Sequence, residues 1–183
     1  MRSSDFIDLI KSEASKLEAL NADIHRTVPD RDKDEKSHLA WQNACEAFHT
    51  YRSRMDPYLE RACDEERYED SDLLEFAVCF LEVDPWFFRS GYLKQILLTR
   101  LKRSELVEPF KQRLRGVLGD AARRRGTREF KYYCRLAVAL ANQQLVGELE
   151  ALCSNTDTAV AQRARMMLEA IRNQRQEWRV AGT

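Results

Sequence analysis

Apolar residues recur every three to four positions along almost the whole chain, and that period restricts the fold more than any other feature. Phe6, Ile10, Leu17, Leu20 and Ile24 mark one stripe, and Trp41, Ala44, Cys45, Phe48, Tyr51 and Met55 a second. Phe110, Leu114, Val117 and Leu118 mark a third. A period of about 3.6 puts such residues on one face of an α-helix. No run alternates cleanly between apolar and polar residues, and no Asn-Gly or Asp-Gly hairpin turn occurs. The sequence therefore predicts an all-α protein of about nine helices, built as a short α-solenoid or an irregular helical bundle.

Cap signals place the breaks. Ser4 is a candidate cap for a helix over 5–27, and Ser37 for the helix after the polar loop at 28–35. Asp56-Pro57 pairs a capping side chain with a first-turn proline and restarts the chain as helix. Ser71 is placed to cap 72–83, which is apolar nearly all round and is expected at the centre. Asp84-Pro85 repeats the cap-then-proline signal and predicts a helix running to about 102. Ser104 opens the next helix, with Pro109 tolerable near its first turn, and Gly126-Thr127 separates it from a helix at 128–142. A short helix carries Leu145, Leu149 and Leu152, and the last begins at Thr156 or Asp157 and reaches about Trp178.

The chain of 183 residues is about one domain long and is read as a single domain over 1–183. Its 44% hydrophobic content and balanced charge of 30 basic and 30 acidic residues exclude intrinsic disorder. The longest greasy stretch, 73–81, is too short to span a bilayer, and no apolar leader follows the N-terminal Arg2. The five cysteines, Cys45, Cys63, Cys79, Cys134 and Cys153, are widely spaced without a C-x-x-C pair. Reduced core thiols and a cytoplasmic location are expected.

Charge is balanced globally and polarised locally. Residues 1–84 hold 11 basic and 21 acidic residues, and residues 85–183 hold 19 and 9. Two readings follow: the halves neutralise each other inside one fold, or the asymmetry supplies an electrostatic binding face.

The second half also repeats itself. With a shift of 30, Phe130 matches Val160, Cys134 matches Ala164, Ala137 matches Met167, Val138 matches Leu168 and Ala141 matches Ile171. With a shift of 31, Leu114, Leu118 and Ala121 match Leu145, Leu149 and Leu152. A two-helix unit thus recurs at about 106–142 and 143–173. The pattern Asp157-x-x-Val160-x-x-x-Ala164-x-x-Met167-Leu168-x-x-Ile171 resembles a HEAT-like repeat, and Lys131 sits where such repeats often place a basic residue. The equivalent position in the second unit is Ala161, and the period is shorter than the usual length of roughly 40. The resemblance implies helical hairpins stacked as a solenoid and a binding role, and it carries no catalytic residues.

Several constellations suit chemistry or binding. Asp30-x-Asp32-x-Asp34 begins like a calcium loop, but Glu35 and Trp41 stand where the loop needs Gly and Glu, so a solvated loop is expected. His38, Cys45 and His49 share a helix face at zinc-ligand spacing but lack a fourth ligand. The acidic turn 64–72 reads as a solvated turn or an acidic patch. Trp86, Phe87, Phe88 and Tyr92 read mostly as core, with an exposed anchor among them because all four cannot face inward together. Residues 89–135 contain 14 Lys or Arg against 4 Asp or Glu. Within them Arg124, Arg128, Lys131 and Arg135 fall at spacings of 4, 3 and 4, with Tyr132 alongside.

These five residues are the candidate partner-binding site, on one helical face if the helix extends back through Gly126. The sequence carries no Gly-rich phosphate loop, nucleophile elbow or zinc-protease motif, and no cofactor or metal is expected. The expected function is a non-enzymatic scaffold or inhibitor that binds an acidic or charge-complementary protein, a toxin-neutralising immunity protein being one form. The alternative is a nucleic-acid-binding helical repeat that uses the stripe over 100–135. No membrane role is expected, and the oligomeric state is left open.

Overall fold

The computed structural model describes the backbone over residues 2–124 and 128–181 and side chains as far as Gln174. Among these residues the chain forms nine α-helices and one 3-10 turn, Val28–Asp30, with no strand. The helices are α1 (Ser3–Thr27), α2 (Glu35–Thr50), α3 (Asp56–Asp64), α4 (Ser71–Val83), α5 (Ser90–Arg103), α6 (Glu108–Arg123), α7 (Phe130–Leu140), α8 (Gln143–Leu152) and α9 (Thr158–Ala181). The expected all-α fold is observed, and the helices pack as a bundle.

Some cap signals are right in kind and displaced by a residue or a few, but Ser4 lies inside α1, whose N-cap is Arg2, and Asp56 lies inside α3, whose N-cap is Met55. Asp34, not Ser37, caps α2: its carboxylate accepts from the Ser37 amide at 2.7 Å. Asp70, not Ser71, caps α4 and accepts from the amides of Asp72 and Leu73. Asp157 caps α9 as expected and accepts from the Ala159 amide at 2.8 Å. Asp84-Pro85 is the misleading signal. Asp84 ends α4 in a left-handed conformation, φ 50°, and the chain then turns through 85–89 before α5 begins at Ser90. Ser104 closes α5, and its hydroxyl donates to the Arg100 carbonyl.

The helices lie in two rows. In one, α1 packs on α4, α4 on α6 and α6 on α8; in the other, α3 packs on α5, α5 on α7 and α7 on α9. Helix α2 stands outside both rows, packs on α1 and the 3-10 turn, meets Phe88 of the turn before α5 edge-on through Phe48 at 5.9 Å, and buries no residue fully. The buried side chains form one continuous cluster from Phe6 to Ile171. Helix α4 occupies its centre, as its apolar circumference requires, with Phe76 stacked on Tyr58 at 5.0 Å and edge-on to Phe6 at 5.7 Å. Of the matched positions, Phe130 and Val160, Cys134 and Ala164, Ala137 and Met167, Leu114 and Leu145, and Leu118 and Leu149 are buried in both members, whereas Val138, Ala141 and Ala121 are only half-buried against buried Leu168, Ile171 and Leu152. Gly119 sits where α6 crosses the Glu148 carboxylate of α8, and a side chain there would make that carboxylate shift.

Candidate functional site

The structure sorts the cations of the basic half into two groups. The first group is neutralised within the fold, Arg113, Lys94 and Arg124 by the acidic half and Arg123 and Arg115 by carboxylates of the basic half. Arg113 of α6 donates to Glu75 at 2.6 Å and to Glu82 at 2.7 Å, both on α4. Lys94, only 3% exposed, pairs with Asp84, and Arg124 reaches the other oxygen of the same carboxylate at 2.6 Å. Asp84 therefore ties the end of α4 to α5 and to the end of α6. Its left-handed backbone, which a short polar side chain tolerates best, aims the carboxylate at both cations. Arg123 pairs with Glu148 at 2.8 Å, and Arg115 pairs with Glu108.

The second group has no carboxylate partner among the described residues. Arg128 lies in the turn before α7, is exposed, and donates to the Tyr92 hydroxyl at 3.2 Å. Lys131 and Arg135 stand on the outer face of α7 and flank the Tyr132 ring, with charge-to-centroid distances of 5.1 and 5.2 Å. Tyr132 fills part of the groove between α5 and α7, beside Tyr92, Arg100 and Arg103. The opposite face of α7, with Phe130, Tyr133, Cys134, Ala137 and Leu140, is buried. Four of the five candidate residues thus share one surface.

Arg124 does not belong to it. It is the C-cap of α6, and Arg128 precedes α7, so the two residues do not share one of the described helices. Arg124 is held by Asp84 and Asp120 because helix α6 has already ended at Arg123. Arg125, Gly126 and Thr127 lie outside the described residues.

The aromatic cluster is mostly outside the core, against expectation. Phe87 alone turns inward, edge-on to Phe80 at 6.2 Å. Trp86, Phe88 and Tyr92 are 72%, 55% and 56% exposed. The cause is the turn that replaces the predicted helix start: residues 85–89 are not helical, so successive side chains splay instead of sharing a stripe. Arg89, itself left-handed with φ 70°, lies over the Phe88 ring at 5.3 Å. Together with Glu129, which is buried at the N-cap of α7, it joins the site unannounced by any sequence signal. Both owe their place to the fold of the turn, not to a spacing.

The remaining candidates disperse. Asp30 pairs with Lys33 and Asp32 with Arg31, while Asp34 caps α2. His38 meets Gln42 at 3.0 Å, and His49 packs edge-on to Phe48. Among the described residues no three His, Cys, Asp or Glu side chains converge as a metal site. In the acidic turn, Asp70 is drawn to Arg61 at 2.9 Å, and that contact with the α4 amides holds its carboxyl below the usual range. Burial pushes the Cys79 thiol up to about 12 and the Cys134 thiol up to about 11, which disfavours the thiolate a nucleophile needs. No described helix is long and apolar enough to cross a membrane. Comparison with family models, curated proteins and solved structures finds no match to this chain.

Proposed function

We propose that this protein is a non-enzymatic binding module, a helical-repeat scaffold or inhibitor whose α5–α7 face docks an acidic protein partner. The observation that carries the reading is the contrast between the two groups of cations. Those facing the acidic half are neutralised across the fold, whereas Arg128, Lys131 and Arg135 point outward with aromatic neighbours and, among the described residues, no carboxylate. Trp, Tyr and Arg are the side chains most enriched where binding energy concentrates. Trp86, Tyr92 and Arg89 border the same face. The two hairpins α6–α7 and α8–α9, with matched buried positions, support a HEAT-like stacked repeat as the scaffold.

A nucleic-acid strand is the second reading. It is favoured by Tyr132 between two cations, an arrangement that suits a stacked base beside phosphates. Zero net charge weighs against it, because it removes the long-range positive field that steers nucleic acid. One experiment separates the two. Tagged wild type and the variant Arg128→Glu/Lys131→Glu/Arg135→Glu are compared as baits in native lysate, with and without nuclease. A partner captured by wild type, lost with the variant and indifferent to nuclease is the expected result. Loss of capture on nuclease treatment favours the strand, and capture that survives the triple variant removes this face from the function.

A further inference from the structure

The groove between α5 and α7 has a volume of about 270 Å3. Tyr92, Ile96, Arg100 and Arg103 line it from one face of α5, and Tyr132 lines it from α7. Among the described residues no Asp or Glu lines it, and none pairs with Arg100, Arg103, Lys131 or Arg135. Arg103 is exposed. Arg100 is half-buried and under-satisfied. Its Nε is buried with no hydrogen-bond partner, and one terminal nitrogen donates to the Cys63 carbonyl at a long 3.4 Å.

A guanidinium carries five N–H donors in a fixed fork, and leaving a buried one idle is costly. Cations gathered about one groove also repel one another until an anion enters. A carboxylate brings a single charge. A phosphomonoester brings a charge of about −1.5 to −2 at neutral pH and three acceptor oxygens, enough for two arginine forks at once. The rest of the groove suits a planar apolar group, because Ile96 and the Tyr92 and Tyr132 rings wall it. A phosphate joined directly to a planar ring is the side chain of phosphotyrosine. A nucleic-acid strand also carries phosphates and rings, but zero net charge deprives this chain of the long-range field that gathers a polyanion.

We propose that the α5–α7 groove receives a phosphotyrosine of the protein partner, with the phosphate on Arg100 and Arg103 and the ring against Tyr132 and Ile96. Arg100 then exchanges its long bond to Cys63 for a charge-assisted one. The proposal rests on the docking of a protein at this face and names the chemistry of its anchor. Arg103 stands outside the Arg128, Lys131 and Arg135 set, so the two can be tested apart.

Fluorescence anisotropy of the full chain with labelled glycine-rich peptides tests the assignment. The peptides carry one central phosphotyrosine, phosphoserine, tyrosine or glutamate, and a short oligothymidylate is titrated beside them. The phosphotyrosine peptide is expected to bind roughly tenfold tighter than any of the others, the margin of one added charge-assisted contact. Arg103→Ala, at an exposed position that leaves the fold intact, is expected to weaken it roughly tenfold, so the test survives if Arg100→Ala unfolds. Equal affinity for the phosphotyrosine and glutamate peptides, both lost with Arg128→Glu/Lys131→Glu/Arg135→Glu, overturns the proposal and leaves an acidic partner on this face. Phosphoserine binding as tightly as phosphotyrosine, or phosphotyrosine binding untouched by Arg103→Ala, overturns it too. Tighter binding of the oligothymidylate overturns it in favour of a strand. No saturable binding of the phosphotyrosine peptide by folded protein up to about 1 mM also overturns it, whereas lysate capture lost with the triple variant would keep the docking itself.

Discussion

The seam between the two halves and the outer face of α7 use the same residue types to opposite ends. At the seam, Arg113 is 27% exposed and forks between Glu75 and Glu82, and Asp84 holds Lys94 and Arg124 together. Among the described residues, Lys131 and Arg135 on α7 meet only a tyrosine ring, and Arg128, just before α7, only a tyrosine hydroxyl. A lysine or arginine is therefore structural or available according to what the fold places opposite it, and a charge count along the chain cannot distinguish the cases. The first reading of the charge asymmetry, neutralisation inside one fold, holds at the seam, and the binding face is what is proposed for the cations beside and on α7.

The largest loss is expected where charge is wholly buried. Glu13 of α1 is 0% exposed and accepts from the Tyr51 hydroxyl at 2.7 Å, the Ser53 hydroxyl at 3.0 Å, and the Arg54 amide and guanidinium. It thereby fastens the 51–55 connection to α1. Glu13→Ala leaves those donors unpaired and should cost about 3–4 kcal/mol in urea unfolding. Burial by itself raises the Glu13 pKa, but hydrogen bonds from Tyr51, Lys16 and Arg54 outweigh it and hold the carboxyl far below the usual range. The folded value lies below the unfolded one, so this stabilisation is complete above the ordinary Glu pKa of about 4.3 and fades as pH falls beneath it. The Glu13→Gln variant should accordingly lose less stability between neutral and acid pH than wild type, as followed by helical circular dichroism.

The seam comes next. Arg113→Met keeps the bulk and deletes the cation between Glu75 and Glu82, and should cost about 2 kcal/mol, a figure reduced because the site is partly solvated. An unchanged unfolding midpoint would break the comparison, since the seam would then be no more structural than α7.

Much of this was legible in the sequence and some was not. The all-α class, the central α4 and the shared burial of Cys134 and Ala164 follow from periodicity, because period and burial are one physical fact. Asp84-Pro85 misled because Asp and Pro serve both a helix start and a turn, and only the pull of Lys94 and Arg124 on the Asp84 carboxylate selects the left-handed end of α4. The candidate residues near α7 were read from spacing, and four of the five lie on one surface. Arg124 was lost because the spacing rule assumed a helix through 126. Glu129 was invisible because its burial depends on Gly91 of a different helix.

An apolar change measures the tightness of the repeat stack without touching charge. Ala164 is 0% exposed on α9, which packs against both α7 and α8. Ala164→Leu should overpack the crossing and cost roughly 1–3 kcal/mol, visible as a lowered melting temperature. An unchanged melting temperature would show a loose crossing and weaken the stacked-repeat reading.

The smallest effect on stability decides the central claim, that the α7 cations are free for a partner while the seam cations hold the fold. Urea unfolding of Arg128→Glu/Lys131→Glu/Arg135→Glu, measured beside Arg113→Met, tests it directly. The structure predicts a change within about 0.5 kcal/mol for the triple variant, as for other exposed substitutions, although three charges are reversed. A loss of several kcal/mol, matching or exceeding that of Arg113→Met, would show that the α7 cations are neutralised inside the fold and would contradict the account.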